Sequence, residues 1–242
     1  MAIRVEAGGP DRLINRVQTG GWLLLHGTPL TPQVWDGVAA LLGDARVLRP
    51  VVEASPGEAH PQTAIAGRLA ERLAESAPLH IVGHSFGGQI ALELALAAPG
   101  LVHRLTIICS RDTPYPAFAA AADAVRRGDP FDVDGALSRW FRPSELADDG
   151  PMVQYARRCL RTADPTRWAA ALDAIAEYDR SGRTPEIEVP VILLAAEFDQ
   201  VSTPAAMSDM AHRLPNAQLR LLDGAAHMSP FLDPSRLVRL IT

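Results

Sequence analysis

Six short apolar runs stand out along the chain: WLLLH (22–26), RVLRPVV (46–52), LHIVGH (79–84), LTIICS (105–110), VPVILLAA (189–196) and AQLRLLD (217–223). They are rich in Val, Ile and Leu, as strands buried on both faces are. Two weaker runs, near 2–6 and 12–18, bring the expected strand count to eight. Between most of them, apolar positions recur at helical spacing, over 32–43, 62–76, 86–98, 204–213 and 234–241. Such alternation predicts an α/β protein with a mostly parallel sheet flanked by helices on both faces.

One interval breaks the rhythm. Residues 112–186 hold no convincing strand, only helical patterns near 116–127, 132–141, 151–163 and 165–178, parted by Pro, Gly and Asp. A structureless loop of that length is uncommon inside a domain, so the interval reads as a helical insertion after the sixth strand. The expected division is a core of 1–111 and 187–242 with an inserted unit at 112–186.

Composition narrows the class. With 48% hydrophobic residues over 242 positions, the chain can bury a large core. A net charge of −5 argues against nucleic acid as a partner. All 23 basic residues are arginine, which reads as codon bias in a GC-rich genome. Cys109 lies in a strand pattern and Cys159 in a helical one; two such thiols make neither a disulfide framework nor a metal site. The N-terminal MAIRVEAGGP lacks a signal-peptide core, and no apolar run approaches a bilayer span. A cytoplasmic protein without membrane partners is the expectation.

The chemistry starts at GHSFG (83–87), where a serine sits between an apolar strand and a helical pattern. Glycines two places either side of it fit a nucleophile elbow, the sharp strand-to-helix turn that carries an exposed serine at its apex. The bland alternative is a serine that caps the helix. A serine hydroxyl is a weak nucleophile and needs a base held by an acid, in the chain order Ser, acid, His. Of seven histidines, only His212 and His227 follow the insertion. His212 falls within a helical pattern, whereas His227 follows the last strand in a loop of small residues, so His227 is the expected base. Asp199, at the end of VILLAAEFD, is the expected acid, and Asp112, also at a strand end, is its rival. Glu197, Asp223 and Asp233 are weaker candidates.

Negative charge on a tetrahedral intermediate needs N–H donors. HGTPL (26–30) follows a strand, and Pro29 has no N–H to offer. Thr28 is the expected first donor, with Leu30 the alternative, and Phe86, the residue after the nucleophile, is the second. His26 is expected to hold this loop.

Taken together, HGTPL, GHSFGG (83–88), AAEFDQVSTP (195–204) and GAAHMSPF (224–231) resemble the α/β-hydrolase superfamily in order and spacing. The match runs residue by residue through Gly27, Gly83, Ser85, Gly87, Asp199 and His227. The resemblance makes the insertion a helical cap. LSRWFRPSEL (137–146) and LRTADPTRWAAALDAIAEYDRS (160–181) are similar, more closely, to the cap of 3-oxoadipate enol-lactonases. That likeness implies Arg139 and Trp140 as a grip for a substrate carboxylate, the alternative being a structural pair on a cap helix. The loop RPVVEASPGEAHPQTA (49–64) departs from the enol-lactonase pattern beside the expected site.

These readings predict a serine-dependent ester or lactone hydrolase acting on a small molecule, with no metal or organic cofactor implied. Fold alone does not fix the reaction. C–C hydrolysis, perhydrolysis, a lyase or cyclase step, and a low-turnover ligand receptor stay open as alternatives. The sequence carries no indication of oligomeric state.

Overall fold

In the computed structural model, which describes residues 21–242, the strand–helix alternation builds one sheet. Its strands are β1 (Trp22–Leu25), β2 (Val47–Leu48), β3 (Leu79–His84), β4 (Val102–Ile108), β5 (Val191–Ala196) and β6 (Ala217–Leu222). They lie in the order β2-β1-β3-β4-β5-β6, with every neighbouring pair parallel. The described sheet therefore has six strands where eight are expected; the weaker candidates at 2–6 and 12–18 lie outside the described residues. The strand expected over 46–52 shrinks to Val47–Leu48. Pro50 cannot donate to a ladder, and the Val52 N–H goes instead to the ring of His26, at 3.1 Å.

Helices α1 (Asp36–Leu41), α2 (Pro61–Leu73) and α3 (Phe86–Ala97) lie between the first four strands. Five more separate β4 from β5: α4 (Ala117–Arg127), α5 (Val133–Trp140), α6 (Pro143–Asp148), α7 (Pro151–Thr162) and α8 (Pro165–Glu177). α9 (Pro204–Arg213) and α10 (Pro234–Ile241) complete the chain. Local signals set these ends. Asp132 and Asp164 accept the first free N–H groups of α5 and α8, and Gly128 closes α4 in the left-handed conformation at φ 71°. The short α6 is missed by periodicity, because six residues opened by a proline give too little repeat to detect.

Side-chain alternation splits the strands' apolar residues between two layers. Leu23, Leu25, Ile81, Ile107 and Leu193 pack under α2 and α3, while Leu24, Val82, Ile108 and Leu194 face the other side. Each such fully buried Leu or Ile contributes about 2 kcal/mol relative to exposure. The chain leaves β1 for β2 on one side, then returns to place β3 on the other. A crevice opens at such a switch, beyond the carboxyl ends of β1 and β3. Thr28 and Ser85 follow those two ends.

Candidate active site

Ser85 joins β3 to α3 with φ 53° and ψ −120°, a region non-glycine residues occupy only under constraint. The constraint is visible. Its N–H donates to Ile108 O at 3.0 Å, and its carbonyl accepts from Gly88 N–H at 2.8 Å and Ser110 Oγ at 2.7 Å. A Cβ on Gly83 would run into the backbone of Gly87 and Gly88, and one on Gly87 into the carbonyls of Leu25 and His26. Both glycines are required because strand and helix backbones touch there.

Asp199 and His227, the expected acid and base, lie in loops after β5 and β6. Asp199 Oδ2 stands 2.7 Å from His227 Nδ1, and both residues are buried. Asp199 Oδ1 accepts from the N–H groups of Val201 and Ser202 at 2.8 and 3.0 Å. Burial alone would raise the Asp199 carboxyl. The His227 charge and hydrogen bond, together with the two amides, outweigh burial and hold the carboxyl below its usual range. The rival Asp112 is committed elsewhere. It is fully buried, takes the Arg213 guanidinium through two bonds of 2.9 and 2.6 Å, and accepts from Thr184 Oγ1 at 2.8 Å. Glu197 is exposed and receives the Gly224 N–H, Asp223 is exposed, Asp233 caps α10, and His212 lies exposed on α9.

Of the two possible loop donors, Leu30 is already spent: its N–H binds Gly27 O at 3.0 Å. Thr28 remains, in the cavity that Ser85 also lines, and Phe86 has an N–H at the first position of α3 with no intrahelical acceptor. His26 fastens this loop to residue 52. The ring Nδ1 lies 2.9 Å from Gly27 O, and Nε2 accepts the Val52 N–H. Protonating Nε2 would break that second bond. Burial drives the His26 imidazole down from 6.5 to about 4, against the raising effects of Gly27 O and Glu53. Between pH 6.5 and 4 the unfolded chain takes a proton that the folded chain refuses, so stability falls as pH falls. His26 alone is expected to remove roughly 3 kcal/mol over that window. Urea titrations from pH 7 to 4 test this: His26→Gln should flatten the pH dependence, and an unchanged dependence would assign the acid sensitivity elsewhere.

Ser85, His227 and Thr28 open onto one cavity with Arg139 and Trp140. Its remaining walls are apolar, with Phe118 from α4 and Leu172 from α8 among them. Arg139 is exposed and makes no hydrogen bond or ion pair among the described residues. Trp140 reaches towards the base, its ring 6.4 Å from that of His227. Trp168 separates this cavity from a second hollow, which is lined by residues 52–54 and by α7 and α8 and is spanned by an Arg167–Glu53 ion pair. The 49–64 loop thus lines that second hollow through Val52, Glu53 and Ala54, and not the cavity of Ser85 and His227. Of the arginines on α7, Arg157 is bound to Asp149 at 2.6 Å, and neither Arg158 nor Arg161 lines the cavity.

Sequence reasoning missed several supports. Tyr155 of α7 fastens the loop after β1: its hydroxyl receives the Thr31 N–H at 2.9 Å and donates to Thr31 O at 3.0 Å. Fully buried His84 sits with its ring centroid 4.7 Å from that of His227, the two rings tilted at 53°, and burial holds its imidazole well below the usual value, hence neutral. Cys109 is more than a packed thiol. With φ 47° it lies against the acid–base pair, and the donor atoms of Cys109, Asp199 and His227 fall within 4.8 Å of one another. Burial and the Asp199 charge push the thiol well above its usual range, so it stays protonated. None of these contacts has a short sequence signature, because each joins segments far apart in the chain.

Comparison with known proteins agrees with this architecture. The chain is 29% identical over 232 residues to a pimeloyl-[acyl-carrier protein] methyl ester esterase of Aromatoleum aromaticum, an alignment covering 87% of this chain and 92% of that protein. It is 28% identical over 162 residues to the RutD protein of Pseudomonas syringae, covering 64% of this chain but only 62% of that protein's length. Its fold matches that of the enol-lactonase from Burkholderia xenovorans LB400 with a TM-score of 0.82 at 21% identity, over 93% of this chain and 90% of the other. At that identity the likeness is one of fold. The sequence profile of the alpha/beta hydrolase family matches residues 22–240. On that match, which spans nearly the whole described sheet and its helices, the chain belongs to the alpha/beta hydrolase family.

Proposed function

We propose that this hydrolase cleaves a carboxylic ester or lactone through an acyl-enzyme on Ser85. The observation that carries the reading is the hydrogen bond between His227 Nδ1 and Asp199 Oδ2, made by a histidine that shares a cavity with a serine held at a strained turn. With Nδ1 occupied by Asp199, Nε2 is the nitrogen free to take the Ser85 proton. Ser85 Oγ then attacks the carbonyl carbon, and the Thr28 and Phe86 amides receive the charge on oxygen. His227 returns the proton to the departing alkoxide. Water repeats the sequence on the acyl-enzyme and releases the acid.

In this reading the α4–α8 segment acts as a cap whose walls suit an acyl chain or ring, with Arg139 offering a cation to a distal carboxylate. A methyl ester of an acyl chain, as in the name of the Aromatoleum relative, and a carboxylate-bearing enol-lactone both fit that chemistry. The direct test is labelling by a fluorophosphonate together with turnover of p-nitrophenyl esters and a lactone panel. Labelling with no turnover of either would refute ester and lactone hydrolysis. For the grip, Arg139→Gln is expected to raise KM for a half-ester of a dicarboxylic acid by about 10- to 100-fold. KM for the neutral diester should stay within twofold, and equal effects on both would remove Arg139 from binding.

A further inference from the structure

We propose that Glu145 and Ser229 are positioning residues for His227, so that the α5–α6 elbow holds the base in place. The inference rests on the assignment of His227 as base.

His227 lies beyond β6, the outermost described strand on its side of the sheet, in a loop with little sheet to hold it. Its fastenings come from elsewhere. The amide just before it, Ala226 N–H, donates to Ser229 Oγ at 2.7 Å, and that hydroxyl donates onward to Glu145 Oε1 at 2.6 Å. The other carboxylate oxygen, Oε2, accepts the Arg142 N–H at 2.7 Å, which fixes Glu145 at the start of α6. The amide just after the base, Met228 N–H, donates to the Trp140 carbonyl at the end of α5, at 2.9 Å. Both amides flanking His227 are therefore held through residues 140–145. From the sheet side, His84 Nε2 reaches the His227 carbonyl at 3.2 Å, Phe198 N–H donates to Ala225 O at 2.8 Å, and Asp199 holds the ring, but none of these takes either flanking amide.

Two features make the Ser229–Glu145 link the decisive one. An O–H donor on a carboxylate forms a strong, short bond, and a chain of such bonds polarises its members. Ser229 is also the single bridge by which the Ala226 amide reaches the carboxylate, so losing its hydroxyl breaks two bonds at once. A displacement of about 1 Å at a catalytic group can cost on the order of 100-fold in rate.

The test compares Ser229→Ala, Ser229→Thr, Glu145→Ala and Arg213→Ala with the parent enzyme. Arg213→Ala breaks the ion pair with Asp112, neither of which bonds to the His227 loop, and serves as the stability control. Ser229→Ala and Glu145→Ala are each expected to lower kcat for p-nitrophenyl acetate by about tenfold, a modest share of that displacement cost. KM should stay within twofold, and phosphonylation of Ser85 should slow in parallel. Ser229→Thr, which restores the hydroxyl, should recover most of the rate. The low-field proton resonance between His227 and Asp199 should broaden or move in the first two variants and not in Arg213→Ala. Parent-like kcat in Glu145→Ala, or equal rate losses in Arg213→Ala, would overturn the proposal. Should Ser85→Ala itself keep full activity, the base assignment fails first; inactive Ser85→Ala with parent-like Ser229→Ala refutes the positioning role alone.

Discussion

Replacing Ser85 by alanine is expected to lower kcat for p-nitrophenyl acetate by on the order of 10⁴-fold or more, the scale seen when a triad nucleophile is removed. The substitution deletes only Oγ. The hydrogen bonds that shape the turn, to Ile108, Gly88 and Ser110, all use the Ser85 backbone, so the melting temperature should hardly move. The amides of Thr28 and Phe86 would survive and leave a small residual rate from charge stabilisation alone. Stopped-time hydrolysis and fluorophosphonate labelling, run on the same preparation, check both parts. Turnover at the parent level would end the serine mechanism for this protein.

The two buried aspartates should part company just as sharply. Asp199→Asn places an amide where His227 Nδ1 needs an acceptor, favouring the wrong tautomer, and kcat should fall by roughly 10⁴-fold. Asp112→Asn breaks the pair with Arg213. It should cost about 3 kcal/mol of stability, as broken buried pairs do, and lower the melting temperature by roughly 6–12 °C. The kcat of its folded fraction should match the parent. A reversal of these phenotypes, with activity lost at position 112 and stability lost at 199, would exchange the roles of the two acids.

The separation between these aspartates also indicates what a sequence can convey. Both end apolar strands and both lie between Ser85 and His227 in the chain, so order alone does not separate them, and no local pattern shows where Asp112 goes. Its partner Arg213 lies 101 positions away, beyond any local pattern. The elbow was legible because its demands are local: Gly83 and Gly87 must lack side chains within a few residues of Ser85. The buried strands were legible for the same reason, each being a continuous apolar run. The second strand was overextended because Val51 and Val52 look like strand residues, although Val51 is 62% exposed and Val52 answers to His26. Leu30, the alternative to Thr28 as an oxyanion donor, has its N–H in a turn bond to Gly27 O that no sequence pattern announces. Helix α6, which supplies Glu145, left no trace in the periodicity.

Tyr155 stitches α7 to the loop after β1 at Thr31, and Glu145 stitches the α5–α6 elbow to the histidine loop. The roof over Ser85 is thus pinned at two corners by the parts it covers. On the proposed mechanism, swinging this roof aside would pull on the loops of Thr28 and His227 together. On that reading, selectivity is expected to reside in the wallpaper and not in the hinge. Phe118 on α4 and Leu172 on α8 line the chamber, and neither is part of a stitch. Reshaping those two surfaces offers a way to change which acyl group fits while the chemistry beneath is left alone.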